Sequence, residues 1–236
     1  IIPEISKCHS DKNTNLRFTT EFVDTTLNRP FEAACKLFKL LNRRGKSAEC
    51  TEGNVVETVP SGIIGAPRSS LTESLAILGG ASDLVTISHA SSSAEFSHEN
   101  EYPLFGRTIP SVEVDATMVV SFFKEELNAT HLGVLYVNDP YGISYANSIR
   151  KAAGNVNITV VQIALLKNAS RQDATSSLMK LERTGIRYIV AVLFQEELNT
   201  AMPLANDMLL TGDDYFWMFT DSFFASTLQD SSGLLR

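Results

Sequence analysis

The chain has 236 residues, of which 44% are hydrophobic, and a formal net charge of −7. This length suffices for a real core and lies between one large domain and two small ones. The acidic balance argues against nucleic acid or an anionic membrane surface as the main partner, because no basic stripe is available to neutralise phosphates. No run approaches the roughly 18 apolar residues of a membrane span. The chain also begins at Ile1 without a methionine, so we expect a segment of a longer protein, and any membrane anchor would lie outside it.

The first half of the chain predicts strands and helices in alternation. A strand-like stretch at residues 20–23 precedes a helix whose apolar face is Phe31, Ala34, Cys35, Phe38 and Leu41. After a polar stretch, the pattern predicts a strand at 62–65, a helix at 69–78 and a strand at 84–88. Residues 105–111 have no period of their own, and we expect them to form a crossover between two lobes.

The second half alternates more regularly. After Ser111, apolar residues at helical spacing predict a helix, and the apolar run 132–137 predicts a strand that ends in the turn Asn138-Asp139-Pro140-Tyr141-Gly142. The later predicted elements are a helix from about 141 to 154, a strand at 158–166, a helix at 172–184, a strand at 188–194, a helix ending near 212 and a strand at 216–220. Such alternation predicts parallel sheets covered by helices.

Three cysteines, Cys8, Cys35 and Cys50, show no spacing typical of zinc. One disulfide in an oxidising compartment and three reduced thiols, with Cys35 on a buried helix face, are equally open. Three Asn-X-Ser/Thr sequons begin at Asn128, Asn157 and Asn168. They permit a secreted glycoprotein without proving one, because a chain rich in Asn, Ser and Thr produces such triplets by chance.

Polar residues follow the predicted strands at the ends where open α/β sheets bind ligands. Ser69 and Ser70 open a helix directly after a strand, and the N–H groups of a first helical turn suit a carboxylate. Helix capping by Ser69 is the structural alternative. At the next strand end, Ser91 and Ser92 beside Ala90 offer hydroxyl and carbonyl groups.

Two residues of the second half complete a candidate site. Asp221 closes an apolar strand, where its carboxylate pairs with an ammonium group or caps the next helix. Tyr141 lies at a Pro-Tyr-Gly turn, where its ring covers a ligand, supplies a cation–π face or simply packs in the turn. A zwitterionic α-amino acid requires hydrogen-bond donors for its carboxylate on one side of the site. On the other side, its ammonium group requires a carboxylate, hydroxyls and an aromatic ring.

Five stretches around these positions carry a resemblance to a known family. They are GIIGAPRSSLTES (62–74), ISHASSSAEFSHENEYPLFGRTIPS (87–111), DATMVVSFF (115–123), GVLYVNDPYGIS (133–144) and FWMFTDSFF (216–224). They resemble the receptor-family ligand-binding region of class C G-protein-coupled receptors, both glutamate-like and GABA-B-like, and of receptor guanylate cyclases. Bacterial periplasmic amino-acid-binding proteins are more distantly similar. The resemblance covers residues 60–224 well and the first 45 loosely.

The resemblance implies a two-lobed α/β fold, the Venus flytrap of periplasmic-binding-protein-like type I, in which each lobe is a parallel sheet covered by helices. Lobe 1 is expected at residues 1–109, incomplete at its N-terminus, and lobe 2 at residues 110–216. Residues 217–236 are expected to form a return crossover into lobe 1. The family also implies closure of the lobes on a ligand, and a homo- or heterodimer through lobe 1.

The resemblance assigns roles to single residues. Ser69 falls where glutamate-like receptors use a serine for the ligand carboxylate. Ala90 and Ser92 fall where a backbone carbonyl and a threonine hydroxyl meet the ligand amine, and Ser92 keeps the hydroxyl. Tyr141 matches the tyrosine of lobe 2 that covers the ligand, and Asp221 matches the acidic residue that pairs with the amine.

Arg68 departs from the small polar loop of many amino-acid receptors, so it either contacts a second acidic group or blocks the pocket. The sequence has no G-x-S-x-G, H-E-x-x-H, P-loop or G-x-G-x-x-G motif, so we predict no catalytic residue, metal site or cofactor. A fused cyclase or kinase would lie outside these residues. The predicted function is the extracellular ligand-binding domain of a cell-membrane receptor for a small amino-acid-like molecule. The alternatives are a peptide-binding or ligand-free dimer subunit of a receptor cyclase, and a soluble amino-acid transport-binding protein.

Overall fold

The structure is a computed structural model that describes residues 9–10, 17–18, 30–41 and 60–220. The chain divides into two compact units. The first unit contains the described residues up to Ser91 together with 96–109, and the second contains 92–95 together with 110–220. No helix within these described ranges is long and apolar enough to cross a membrane.

The first unit is built around a small parallel sheet. Its elements are β1 (His9–Ser10), β2 (Arg17–Phe18), α1 (Pro30–Leu41), β3 (Ile63–Ile64), α2 (Ser69–Ala81), β4 (Thr86–Ser88) and β5 (Phe105–Arg107). Strands β3, β4 and β5 pair in that order and all run parallel, whereas β1 and β2 form a separate antiparallel pair. The strand predicted at 20–23 lies outside the described residues.

The buried face of α1 differs from the prediction. Ala33 and Leu37 pack against Leu75 of α2, whereas Phe31 and Phe38 are 80% and 57% exposed. The sequence of this helix is apolar on more than one side, so its periodicity fits two adjacent stripes and does not select between them. Residues 105–107 form β5 of the first sheet, which is too short to show alternation, and the change from the first unit to the second falls between residues 109 and 110.

The second unit is a four-stranded parallel sheet with helices on both faces. Its elements are α3 (Val112–Glu125), β6 (His131–Val137), α4 (Pro140–Asn155), β7 (Thr159–Leu165), α5 (Arg171–Thr184), β8 (Tyr188–Val192), α6 (Gln195–Asp207) and β9 (Phe216–Phe219). The strand order is β7-β6-β8-β9. Every predicted element of this half is present, although α6 ends before the expected position near 212.

The central strand β6 is buried on both faces, as parallel strands between two helix layers are. Val134 of β6 packs with Phe123 of α3 in one cluster, and Leu135 packs with Leu178 of α5 in the other. The predicted parallel sheets covered by helices are therefore confirmed.

The start of α4 lies very close to the end of β6. A Cβ atom added at Gly142 would collide with the carbonyl oxygen of Val137, so only glycine fits there. The carboxylate of Asp139 accepts the Gly142 N–H at 2.9 Å and caps the helix. This packing fixes the position of Tyr141, the second residue of the helix.

Each turn that leads from a helix to the next strand, from α2 onward, has the same local form. One residue adopts the left-handed region, and a buried apolar residue follows it. The left-handed residues are Asp83, Asn128, Asn157, Gly185 and Leu209. Different side chains thus occupy one kind of turn.

Candidate functional site

Ser69 is the first residue of α2, directly after the loop that follows β3, and it is 2% exposed. The N-cap position belongs to Arg68, whose carbonyl accepts the N–H groups of Leu71 and Thr72, both at 3.1 Å. The N-cap residue of α2 is therefore Arg68 and not Ser69. Ser70 is half-buried in the same first turn. The first turn of a helix presents N–H groups that the helix itself does not use, and these groups favour an anion.

A buried hydroxyl cluster joins the loop after β3 to the loop after β4. The Ser91 hydroxyl lies 2.9 Å from the carbonyl oxygen of Ala66 and 2.7 Å from Oγ1 of Thr72. The Thr72 hydroxyl donates to the same carbonyl at 3.0 Å, and Oγ of Ser88 accepts the Ser91 N–H at 3.0 Å. The hydroxyl of Ser91 therefore forms contacts inside the first unit, where it holds the loop that precedes Ser69.

The serine-rich stretch after β4 is shared between the two units. Ala90 is half-buried, and its N–H lies 3.4 Å from Oγ of Ser88 in the first unit. Ser92 is buried, and its carbonyl accepts the N–H of Val112 at 2.9 Å in the second unit. The N–H of Ala94 donates to Oγ of Ser144 on α4 at 2.8 Å, which fixes the end of this stretch to the second unit.

Tyr141 is buried at the start of α4 in the second unit. Its hydroxyl donates to Oγ1 of Thr220 at 3.0 Å, and its ring packs against Tyr145 and Phe194 at centroid distances of 5.8 and 5.3 Å. The hydrogen bond links the end of β6 to the end of β9. Asp221 follows Thr220 but lies outside the described residues.

The predicted site residues thus fall into two groups. Arg68, Ser69, Ser70, Ala90 and Ser91 lie at the carboxyl ends of β3 and β4 in the first unit, and Ser92 and Tyr141 belong to the second. Their assigned roles toward a ligand stay predictions.

Sequence reasoning assigned no role to Thr72, Ser88 or Thr220, which hold these side chains in place. Ser88 and Thr220 stand at the ends of predicted strands, and that position was the available signal. The contacts of Thr72 depend on tertiary pairing and have no signal in the sequence.

Comparison with known proteins places the chain among receptors. The model of the receptor family ligand-binding region matches residues 2–234. Metabotropic glutamate receptor 4 of Mus musculus is 25% identical over 191 residues, which are 78% of this chain and 21% of that receptor. The extracellular calcium-sensing receptor of Sus scrofa is 26% identical over 141 residues, 59% of this chain and 13% of that receptor.

The chain therefore spans about a fifth or less of the curated relatives it matches. The predicted relation to class C receptors is confirmed by the family match and by the names of these relatives. Since the family model covers nearly all of its residues, this chain belongs to the family of receptor ligand-binding regions.

Proposed function

We propose that this chain is the extracellular ligand-binding domain of a transmembrane receptor and that it binds a small amino-acid-like ligand. The observation that carries the proposal is the environment of Ser69, which is buried in the first turn of α2 beside a loop fixed by Ser91 and Thr72. A rigid loop before a helix N-terminus suits the carboxylate of a zwitterion, because the N–H groups need no reorganisation to receive it.

The second half of the proposed site supplies the groups that an ammonium ion requires. The ring of Tyr141 is held by Tyr145 and Phe194, and its hydroxyl by Thr220, one residue before Asp221. A carboxylate near an aromatic face favours a cation through charge pairing and cation–π attraction. We propose that Asp221 pairs with the ammonium group of the ligand and that Tyr141 covers the ligand. The carbonyl of Ala90 and the hydroxyl of Ser92 would bind the same ammonium group.

In this proposal the ligand acts by shifting a population. Residues 1–109 form lobe 1, residues 110–216 form lobe 2, and residues 217–236 form the return crossover, whose first residues pair with β8. A ligand that contacts groups of both lobes binds the closed arrangement better than the open one and so favours closure. A dimer through lobe 1 would pass the closure to the rest of the receptor.

A thermal-shift screen against the common amino acids and GABA tests the proposal. A ligand at about 100 times its Kd stabilises the protein by roughly 2.7 kcal/mol. We expect Ser69→Ala and Asp221→Ala to lose this shift. The matched controls are Ser82→Ala, just past the other end of α2, and Asp213→Ala, both exposed, and these should keep it.

Two results would contradict the proposal. A well-folded protein that no amino acid stabilises would exclude the amino-acid ligand, and a peptide that stabilises it would favour the receptor-cyclase alternative. A shift that Ser69→Ala and Asp221→Ala both retain would place the ligand elsewhere.

A further inference from the structure

The three sequons share a pattern of exposure that their sequence does not reveal. Each begins with an exposed asparagine, Asn128, Asn157 or Asn168, and ends with an exposed hydroxyl residue. The middle residues Ala129 and Ile158 are buried. A buried middle residue anchors the triplet and leaves the acceptor asparagine on the surface, where a folded protein accommodates a bulky glycan.

Asn128 and Asn157 occupy equivalent helix-to-strand turns, with φ of 49° and 57°. In each turn the following N–H returns to the preceding helix: Ala129 donates to the carbonyl of Phe123 at 2.9 Å, and Ile158 donates to that of Ala153 at 3.0 Å. Asparagine tolerates this left-handed backbone well. A turn residue alone is therefore one explanation for both asparagines.

The other turns of the same form show that asparagine is not required there. Asp83, Gly185 and Leu209 make the same left-handed step in the turns before β4, β8 and β9. None of the three is an acceptor for an N-linked glycan. Two of these turns nevertheless combine an asparagine with a threonine two residues later. The geometry of the turn does not require that combination.

The two turns also lie side by side. Strands β6 and β7 are neighbours in register, with His131 opposite Thr159. The N–H of Thr159 donates to the carbonyl of Thr130 at 2.9 Å, and these two threonines are the hydroxyl residues of the two sequons. Both acceptors therefore stand at the amino ends of the strands, whereas Tyr141 follows the carboxyl end of β6.

We propose that Asn128 and Asn157 carry N-linked glycans, which together cover the amino-terminal edge of β6 and β7. The inference rests on the extracellular location in the proposed function. In the transfer, the side-chain amide nitrogen forms a bond to the anomeric carbon of a lipid-pyrophosphate-linked oligosaccharide. The bond from that carbon to the pyrophosphate oxygen breaks, the lipid pyrophosphate leaves, and the amide gives up one proton.

The covered edge has a structural consequence for assembly. Two glycans on adjacent turns exclude a protein partner from this edge, so a second copy of the chain would have to bind a different face. The carboxyl ends of the strands, where the proposed ligand site lies, stay open.

Asn168 is an internal reference, because its triplet has a structural explanation. It follows the carboxyl end of β7, and its N–H donates to Oε1 of the buried Glu197 at 3.1 Å. Ser170, its hydroxyl residue, caps α5 in a reciprocal capping box with Asp173. The third triplet is thus accounted for without a glycan.

The test is site mapping on the full chain directed into the secretory lumen of a eukaryotic host. Peptide:N-glycosidase F in heavy-oxygen water marks each occupied asparagine, and mass spectrometry reads the marks. We expect marks at Asn128 and Asn157. Thr130→Ala and Thr159→Ala should each remove one glycan, while Thr130→Ser and Thr159→Ser should keep it, a difference that a purely structural threonine would not produce.

Two controls use the turn before β9. Thr211→Ala should change nothing, because Leu209-Leu210-Thr211 contains no acceptor. Leu209→Asn copies the two glycosylated turns and should add one glycan. If protein recovered from the secretory lumen carries no glycan at either Asn128 or Asn157, the inference is wrong, even if an amino acid binds. Glycans at both positions would support it even if every amino acid fails to bind, so the two proposals fail separately.

Discussion

Leu209 is a residue whose side chain conflicts with its backbone. Its φ is 58°, a left-handed backbone conformation that is strained for a residue with a β-carbon. Its side chain is 81% exposed, so burial does not offset this strain. Asparagine adopts this region more readily. In protein made in bacteria without glycosylation, Leu209→Asn should raise the free energy of unfolding by about 1 kcal/mol, measured by urea denaturation.

Leu166 supplies the matched control for this change. It is 53% exposed in the loop after β7 and does not have a positive φ. Leu166→Asn should therefore stay within about 0.5 kcal/mol of the parent protein. Equal gains from both variants would show that the benefit comes from a lost apolar surface and not from backbone strain.

The buried hydroxyl of Ser91 holds the loop that precedes Ser69, where the sequence predicts ligand binding. In Ser91→Ala the carbonyl of Ala66 keeps its hydrogen bond from Thr72, so the change should cost about 0.5–1.5 kcal/mol, the usual net contribution of one hydrogen bond. The released loop should exchange its amide hydrogens faster at residues 65–72, read by hydrogen–deuterium exchange. Unchanged exchange there, equal to that of Ser82→Ala, would show that the hydroxyl does not hold the loop.

Helix α4 contains two glycines that should respond oppositely to the same substitution. Gly142→Ala places a Cβ against the Val137 carbonyl and should cost about 3 kcal/mol, because the backbone has no room to move. Gly154→Ala meets no atom within 4 Å and should gain roughly 0.5–1 kcal/mol from helix propensity. Thermal unfolding of the two variants measures the difference, and similar stabilities would contradict the close packing of α4 on β6.

Long elements with a clear period were predictable from the sequence, and short ones were not. In the second unit, helices of 14 and 16 residues and strands of 7 residues show enough turns or alternations to define their type. Strand β5 has 3 residues and is defined only by its pairing with β4. The end of α6 was misplaced because glycine is a common stop signal, whereas the left-handed step falls on Leu209, before Gly212.

The position of the candidate residues at strand ends was predictable, but their internal contacts were not. Strand ends marked Ser69, Ser91 and Tyr141, because ligands of open α/β sheets bind there. The contact between Ser91 and Thr72 depends on how β4 lies against β3, which a single sequence does not encode in any local pattern.

At the scale of the whole molecule, the proposed function rests on two units that each carry a sheet and a set of polar strand ends. The first unit presents a helix N-terminus suited to an anion, and the second presents an aromatic ring beside the residue that precedes Asp221. One ligand that uses both sets couples the units thermodynamically. Ligand binding should therefore be sensitive to changes on either side.

The most direct test is calorimetric titration with the amino acid that gives the largest thermal shift. Ser69→Ala in the first unit and Tyr141→Leu in the second, which removes the aromatic ring but keeps an apolar side chain, should each raise the Kd at least about tenfold, or roughly 1.4 kcal/mol, while Tyr136→Leu on β6 should leave it unchanged. An affinity that falls with Ser69→Ala and not with Tyr141→Leu would confine the ligand to the first unit and contradict the proposed closure.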